Sequence, residues 1–171
     1  MANPKRNPLY GQNKADGAIQ DGKVHTIVTE VDRTLTAAET GAVVLVQAAA
    51  ISITLPAAAA GLNFKIVLGI ETTAGADLLC TAGDCFFGIV SLYGSDTADQ
   101  TGVQQQITHA TAINAPGSYD TMDFVAATAT LGGMAGDVIN VVAVDDVAWL
   151  ATCDLHTTAN DPGTVAVIIA S

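Results

Sequence analysis

The sequence predicts an all-β protein, an antiparallel sandwich or jelly-roll-like body preceded by an extended N-terminal arm. Short apolar runs are separated by Gly, Asp, Asn and Pro at intervals of roughly 8–15 residues, which is the strand spacing of such folds. Helical patterns are nearly absent, because the alanine-rich segment 56–61 is too short to stand as a helix by itself. Half of the residues are apolar and only 5% are aromatic, which suits thin β layers packed through small side chains.

The chain divides into an arm, 1–23, and one β domain, 24–171. The arm contains two prolines and several Gly and Asn residues, and its main large apolar side chains are Leu9, Tyr10 and Ile19. Such a segment cannot build a hydrophobic core, so we expect it to be extended. The length of the remaining chain suits a single core.

Ten predicted strands follow the arm in order. They lie at 24–31, 42–47, 50–55, 64–70, 86–93, 102–108, 123–130, 137–144, 147–152 and 164–169. The third is the clearest, because Ile51, Ile53 and Leu55 alternate with other residues and therefore share one face. Between strands, we expect one helical turn at 36–40, ended by a glycine, and a wide turn at 56–61.

One pair of strands predicts a hairpin. The apolar segments 141–144 and 147–150 flank Asp145 and Asp146, and two acids between apolar runs are suitable turn residues. Trp149, the only tryptophan, then lies in the second strand and packs in the core or at a subunit interface, where its N–H finds a partner. The last predicted strand is apolar, so we expect it to be central in its sheet or covered by another subunit.

The charge is unevenly distributed between the arm and the body. Residues 1–23 carry four basic and two acidic side chains, whereas residues 24–171 carry two basic and fifteen acidic ones. A body this acidic repels nucleic acid and anionic membrane surfaces, because binding to either of them requires clustered Lys and Arg. A basic arm beside an acidic body favours docking onto an acidic neighbour such as another copy; an ordinary terminal tail is the alternative.

The sequence predicts a protein made in a cytoplasm. The first residues lack the apolar stretch of a secretory signal, and no run of about 18 apolar residues predicts a transmembrane helix. Three cysteines, an odd number, agree with a reducing compartment.

Metal ligands are poorly arranged in the sequence. Cys80 and Cys85 are spaced C-x4-C, but Cys153 is distant and no second close pair completes a zinc site. We interpret these thiols as small buried hydrophobes, with a hairpin disulfide between the first two as the alternative. Pairs of acids in loops and turns do not match a calcium-binding loop, so neither a metal nor a cofactor is predicted.

Sequence motifs that are typical of catalytic sites are also missing. No G-x-S-x-G elbow occurs, and the glycine-rich segment 131–136 lacks the Gly-Lys-Ser/Thr of a phosphate-binding loop. We interpret this segment as a turn before the strand at 137–144. The sequence therefore predicts a protein that is not an enzyme.

Two stretches of the chain carry a resemblance to known proteins. Residues 34–41 read TLTAAETG, 53–56 read ITLP and 64–67 read FKIV, in an order that resembles bacteriophage head-decoration and fibre-type virion proteins. Residues 136–150, GDVINVVAVDDVAWL, resemble the pattern that closes such modules. The first stretch as a whole, residues 32–68, and the second, residues 136–150, cover about 50 residues, and 70–130 match no pattern of the family.

The resemblance implies an oligomeric, commonly trimeric β module on a virion, without catalytic residues. We therefore expect a capsid decoration (cement) protein that binds the outer surface of a phage head and stabilises it. Its implied partners are the major capsid protein and its own copies, as a homotrimer, and its location is the virion capsid surface. The candidate contact residues are Lys5, Arg6, Leu9, Tyr10, Lys14 and Trp149.

Two other functions remain open at this point. A tail-fibre or baseplate module would share the same resemblance, although it favours a longer chain with repeats. A carbohydrate-binding or receptor-binding domain would need exposed aromatic platforms, for which Trp149 is the candidate in a chain with few aromatic residues.

Overall fold

The computed structural model describes residues 25–73, 75–94, 102–107, 119–127, 131–158 and 168–169. These residues form strands and one short 3-10 helix, so the predicted all-β class is confirmed. The strands are β1 (Thr26–Thr29), β2 (Arg33–Thr34), β3 (Val43–Val46), β4 (Ser52–Thr54), β5 (Asn63–Leu68), β6 (Ala76–Leu79), β7 (Cys85–Tyr93), β8 (Gly102–Ile107), β9 (Thr121–Phe124), β10 (Val138–Ala143), β11 (Ala148–His156) and β12 (Ile168–Ile169). Within this described part, no helix is long and apolar enough to cross a membrane.

The strands form two mixed sheets. The larger has the order β1-β3-β5-β10-β11-β7-β8, and the smaller has the order β12-β9-β6-β4-β2. The expectation of an antiparallel body is wrong, because β1/β3, β3/β5, β7/β11, β2/β4 and β4/β6 are parallel pairs. The remaining pairs between described strands are antiparallel.

The parallel pairs arise because the chain winds as a coil of successive strands, β1 to β6, at the start of the body. From β1 to β6 the chain alternates between the two sheets, and each strand lies parallel to the one a full turn earlier. In the larger sheet, Thr26 aligns with Val43, which aligns with Lys65. This is the arrangement of a short β-helix, in which the opposite sheet provides the crossover that parallel neighbours need.

The second half of the chain adds the remaining strands to both sheets. β10 pairs antiparallel with β5 and with β11, so the predicted hairpin is confirmed, and Asp145 lies in its turn and accepts a hydrogen bond from the Val147 N–H at 2.9 Å. β9 joins β6, and β12 joins β9. Among the described strands β12 is therefore at the end of its sheet rather than central, and its coverage by another subunit stays a prediction.

Both sheets contribute to one hydrophobic core. Buried and exposed side chains alternate along most strands, as the pleat of a β-strand requires. Trp149 is fully buried in this core, with its ring centroid 6.1 Å from that of Phe64. Among the described residues its indole N–H has no hydrogen-bond partner, contrary to the expectation from the sequence. The largest fully buried side chains include Trp149, Phe86, Leu35, Leu55, Ile66, Leu78, Leu92, Met122, Ile139 and Leu155.

Local sequence signals account for most element positions. Each of the ten predicted strands overlaps an observed one, and the predicted helical turn is the 3-10 helix Ala37–Glu39. Glu39 accepts a hydrogen bond from the Thr36 N–H at 2.8 Å and forms an ion pair with Arg33. Burial favours a higher pKa for Glu39, but the hydrogen bonds from Thr36 and Arg33 outweigh it and hold that pKa below its usual value. The short strands β2 and β6 were not predicted.

One glycine allows β7 and β11 to pair closely. Gly88 has a φ of 142°, and a Cβ there would lie 1.9 Å from the Ala151 carbonyl oxygen on β11. At Gly83 φ is also positive, at 96°, but a Cβ would meet nothing within 4 Å.

We predict that Gly88→Ala lowers the free energy of unfolding by about 3 kcal/mol or more, because the methyl group must displace the backbone of β11. Gly83→Ala should cost only about 1 kcal/mol, the penalty of the positive φ alone. Urea denaturation followed by circular dichroism measures both variants. Equal losses in the two variants would contradict the close approach of β7 and β11.

Candidate interaction surface

The outer face of the seven-stranded sheet carries a row of aliphatic side chains. Val28, Leu45, Val67 and Val138 are aligned across the four neighbouring strands β1, β3, β5 and β10. They alternate with buried residues on each strand and therefore point away from the core. Val28 is 59% exposed.

A second aliphatic and aromatic group lies on the other half of the same face. Val142, Leu150 and Phe87 are aligned across β10, β11 and β7, and Ile89 follows Phe87 on the same side of β7. Val142, Leu150 and Ile89 are 40%, 38% and 48% exposed. We call the two groups together the apolar face, which consists of Val28, Leu45, Val67, Val138, Val142, Leu150, Phe87 and Ile89. The outward row Lys65, Asn140 and Thr152 runs between the two groups. Grouped apolar side chains on one sheet face are more typical of an interaction site than isolated exposed aliphatic residues.

The apolar face carries little net charge, although the molecule is strongly acidic. The charged side chains that point outward beside it are Lys65 on β5 and Asp154 on β11, which are separated by β10. The other described residues contain eleven carboxylates and one basic side chain, Arg33, which is paired with Glu39. The apolar face is therefore a nearly neutral area on an acidic body.

The outer face of the five-stranded sheet is acidic instead. Asp77 on β6 is directly aligned with Asp123 on β9 and, on its other side, with Ser52 on β4. The Ser52 N–H donates to Asp32 Oδ1 at 2.8 Å, and the Ser52 hydroxyl donates to Asp77 Oδ2 at 3.4 Å. Burial and the neighbouring charges of Asp123 and Asp32 raise the pKa of Asp77. Across the described segments, no three acidic, His or Cys side chains are grouped closely enough to hold a metal ion.

A buried carboxylate joins β10, β11 and the turn before β10. Asp137 Oδ2 accepts hydrogen bonds from the N–H groups of Gly133, Met134 and His156 at 3.0, 2.9 and 2.9 Å. Its Oδ1 lies 2.7 Å from His156 Nδ1. Burial raises the pKa of Asp137, although the hydrogen bonds from His156 and Gly133 oppose that effect. The glycine-rich segment 131–136 is thus the turn that the sequence predicted, held by Asp137.

The His156 ring borders a shallow cleft of about 350 Å³. Tyr93 stacks on the ring at a centroid distance of 5.4 Å, and Met134, Gly136 and Thr157 line the cleft beside it. Within the described residues, the side chain hydrogen-bonded to the ring is that of Asp137, and this contact joins the end of β11 to the start of β10.

The three cysteines are not joined by disulfide bonds. Cys85 and Cys153 are buried, and Cys80 is half-buried. Burial raises the pKa of all three thiols, that of Cys153 to about 12, which disfavours the reactive thiolate. The disulfide alternative for the first two cysteines is not formed in this structure.

The structure tests only one of the contact residues proposed from the sequence. Trp149 is fully buried, so its proposed contact with a capsid or another subunit, and its role as a sugar platform, are wrong; it packs in the core. The five arm residues lie outside the described residues: Lys5, Arg6, Leu9, Tyr10 and Lys14.

Sequence reasoning missed the apolar face. The available signal was the run VVLV in β3, whose outward positions are valine and leucine, and the run VINVVA in β10, where two of the three outward positions are valine and the middle one is Asn140. A strand with one solvated face is expected to alternate between apolar and polar residues.

Comparison with known proteins identifies no relative of this chain. No family model, no curated protein and no solved structure matches the chain.

We predict that Asp137→Ala lowers the free energy of unfolding by about 3 kcal/mol or more, because three N–H groups lose their acceptor. Asp137→Asn should cost distinctly less, since its oxygen can keep those donors while its amide faces a neutral His156 ring. Urea denaturation at pH 8 compares the two variants. Similar losses would show that the carboxylate does not act through these hydrogen bonds.

We predict that Asp77→Asn stabilises the protein at pH 7 by a few tenths of a kcal/mol up to about 1, because it removes a like charge directly opposite Asp123. The folded-state pKa of Asp77 is raised, so its ionised form opposes folding, and lowering the pH relieves this cost. The gain over wild type should therefore disappear once the pH falls below the ordinary value of 3.8. Thermal unfolding of the variant and of wild type between pH 3 and 8 measures this gain in stability.

Asp146→Asn is the matched control for this experiment. Asp146 is an exposed acid in the β10–β11 turn. The same change of charge at this position should leave the difference in melting temperature from wild type nearly constant between pH 3 and 8. A gain for Asp77→Asn that persists at pH 3 would contradict the proposed repulsion.

Proposed function

We propose that this protein is a viral structural protein, a capsid decoration (cement) protein that binds the outer surface of a phage head and stabilises it. The observation that carries the proposal is the apolar face, a weakly charged sheet surface with two groups of outward aliphatic side chains. A protein that braces a shell needs such a surface and a stable body, because its action is binding itself. The resemblance of segments 34–41, 53–56 and 136–150 to head-decoration and fibre-type proteins supports the same function.

The body proposed for this role is a β-sandwich with an extended arm. Two sheets that share one core would resist deformation, and the coil β1–β6 ties them together because it alternates between them. The proposed partners are the major capsid protein and other copies of this chain in a homotrimer, located on the virion. The acidic charge outside the arm disfavours nucleic acid and anionic membranes as partners.

Stabilisation of the capsid would follow from several contacts made by one oligomer. Each 100 Å² of apolar surface removed from water contributes roughly 2.5 kcal/mol before the costs of association are subtracted. Arms of one oligomer that reach neighbouring capsid subunits would add multivalent attachment without a strong single contact. The basic residues Lys5, Arg6 and Lys14 would favour acidic sites on those neighbours.

A tail-fibre or baseplate module is the second candidate, favoured by the coil. Strands β1 and β2 lie at the ends of their sheets, and both belong to the first turn of the coil. A parallel coil of this kind can be extended by stacking another module on its first turn.

We predict that the full chain sediments with purified phage heads lacking the protein and raises their melting temperature. Deletion of residues 1–20 should leave the circular dichroism and melting temperature of the free protein unchanged, since the arm builds no core. The same deletion should weaken head binding by about tenfold or more, a loss of about 1.4 kcal/mol.

Purified tails from the same phage are the control for this assay. Binding to tails without binding to heads would overturn the decoration function and favour the fibre or baseplate module. Head binding that is unchanged by the deletion would remove the arm from the mechanism.

A further inference from the structure

We propose that one corner of the seven-stranded sheet binds a neutral sugar ring of a glycan. The corner lies at one end of the neighbouring strands β11, β7 and β8, beside the cleft at His156. We call it the aromatic corner, and it consists of His156, Tyr93, Asp154, Ser91 and Gln104. Such a site gives the protein a second ligand beyond the proposed capsid contact and does not depend on that contact.

The stacked pair of Tyr93 and His156 forms an aromatic platform. The two residues are aligned across β7 and β11, and their ring centroids lie 5.4 Å apart at an interplanar angle of 30°. On its other side Tyr93 is aligned with Gly102 of β8, so that strand presents no side chain beside the tyrosine ring. The electron-rich face of an aromatic ring attracts the polarised C–H groups of a sugar ring. The pair can therefore provide the stacking surface that the buried Trp149 does not.

A buried carboxylate holds the His156 ring in one orientation. The side chain of Asp137 is 1% exposed, whereas that of His156 is 54% exposed. Asp137 Oδ1 lies 2.7 Å from His156 Nδ1, so the opposite ring nitrogen, Nε2, points away from Asp137. The ring lines a cleft of about 350 Å³, which is within the range of small-ligand pockets, roughly 300–1,000 Å³. A recognition group that is fixed before the ligand arrives loses less conformational entropy on binding.

A polar row lies beside the platform on the same face of the sheet. Asp154, Ser91 and Gln104 are aligned across β11, β7 and β8, two residues from the aromatic pair along each strand. Gln104 Nε2 donates a hydrogen bond to the Ser91 hydroxyl at 3.2 Å. The carboxylate accepts hydrogen bonds, and the amide both donates and accepts them. Because sugar hydroxyls also donate and accept, this row matches the polar edge of a sugar ring that stacks on the platform.

Charge selects the class of sugar. Residues 24–171 carry fifteen acidic and two basic side chains, and Asp154 belongs to the aromatic corner itself. A surface with one dominant sign of charge lowers the local concentration of ligands with the same sign. Glycans that carry sialic acid or sulfate are therefore disfavoured, and the ligand that fits the corner is a neutral sugar.

The platform lies at the rim of the sheet, outside both groups of the apolar face. Tyr93 is four residues from Ile89 along β7, roughly 13 Å at 3.3 Å per residue. The cleft is lined by Gly94 and Thr157, which directly follow β7 and β11. A sugar can therefore enter from the end of the sheet while the apolar face contacts a capsid subunit.

The test probes an array of printed neutral and acidic oligosaccharides with the full chain. We expect binding to neutral glycans that share one terminal sugar, and isothermal titration calorimetry with the methyl glycoside of that sugar then gives the affinity. Tyr93→Ala should lower this affinity about tenfold or more, because the stacking surface is lost. Tyr93→Phe keeps the ring and should cost distinctly less. Gln104→Ala, at an exposed position, should lower the affinity about threefold or more.

Phe87→Ala is the matched control, because Phe87 is a partly buried aromatic residue on the same strand and the same face as Tyr93. This variant should bind the methyl glycoside like wild type, and circular dichroism checks that each variant is folded. The exposed Gln104 keeps the test decisive if Tyr93→Ala does not fold.

Three results would overturn the proposal. They are a wild type that binds no neutral glycan, a preference for acidic glycans, and an affinity that neither Tyr93→Ala nor Gln104→Ala changes. Loss of affinity in Phe87→Ala alone would place the sugar on the apolar face instead of the aromatic corner. The assay contains no phage heads, so failure here leaves the capsid function standing, and failure to bind heads leaves the sugar site standing.

Discussion

Both sheets depend on one constraint, which is that every strand must bury alternate side chains in the single core they share. The coil satisfies it directly, because each turn adds one buried row to each sheet; Val44 on β3 and Ile53 on β4 come from the same turn. The hairpin β10–β11 then extends the larger sheet and adds Trp149 to the core. Since the core occupies one side of each sheet, the other sides are left to decide what the molecule binds.

Polar groups stabilise this arrangement where the strands begin and end. Asp137 is a buried charge that is compensated by several hydrogen bonds, and it joins the start of β10 to the end of β11. Glu39 performs a similar task at the surface, where it caps the 3-10 helix and pairs with Arg33. The Asp137 contacts help to position the outer face of the larger sheet, because they join its neighbouring strands β10 and β11.

The two outer faces have opposite properties, and this contrast organises the functional proposals. The smaller sheet presents aligned carboxylates such as Asp77 and Asp123, which keep acidic neighbours away. The larger sheet presents aliphatic side chains with one lysine and one aspartate, which permit a close approach. A molecule with one acidic side and one weakly charged side would associate in a defined orientation, as the capsid role proposed above requires.

The sequence by itself determined the all-β class, nearly all strand positions, the hairpin at Asp145–Asp146 and the acidic character of the body. These features depend on local alternation, turn residues and composition, all of which are readable in short windows. Only the tertiary structure decided that half of the pairings are parallel, that Trp149 is in the core, and that the outward valines and leucines form one face. Alternation has the same period in parallel and antiparallel sheets, so strand direction and neighbours depend on how the chain crosses between the sheets.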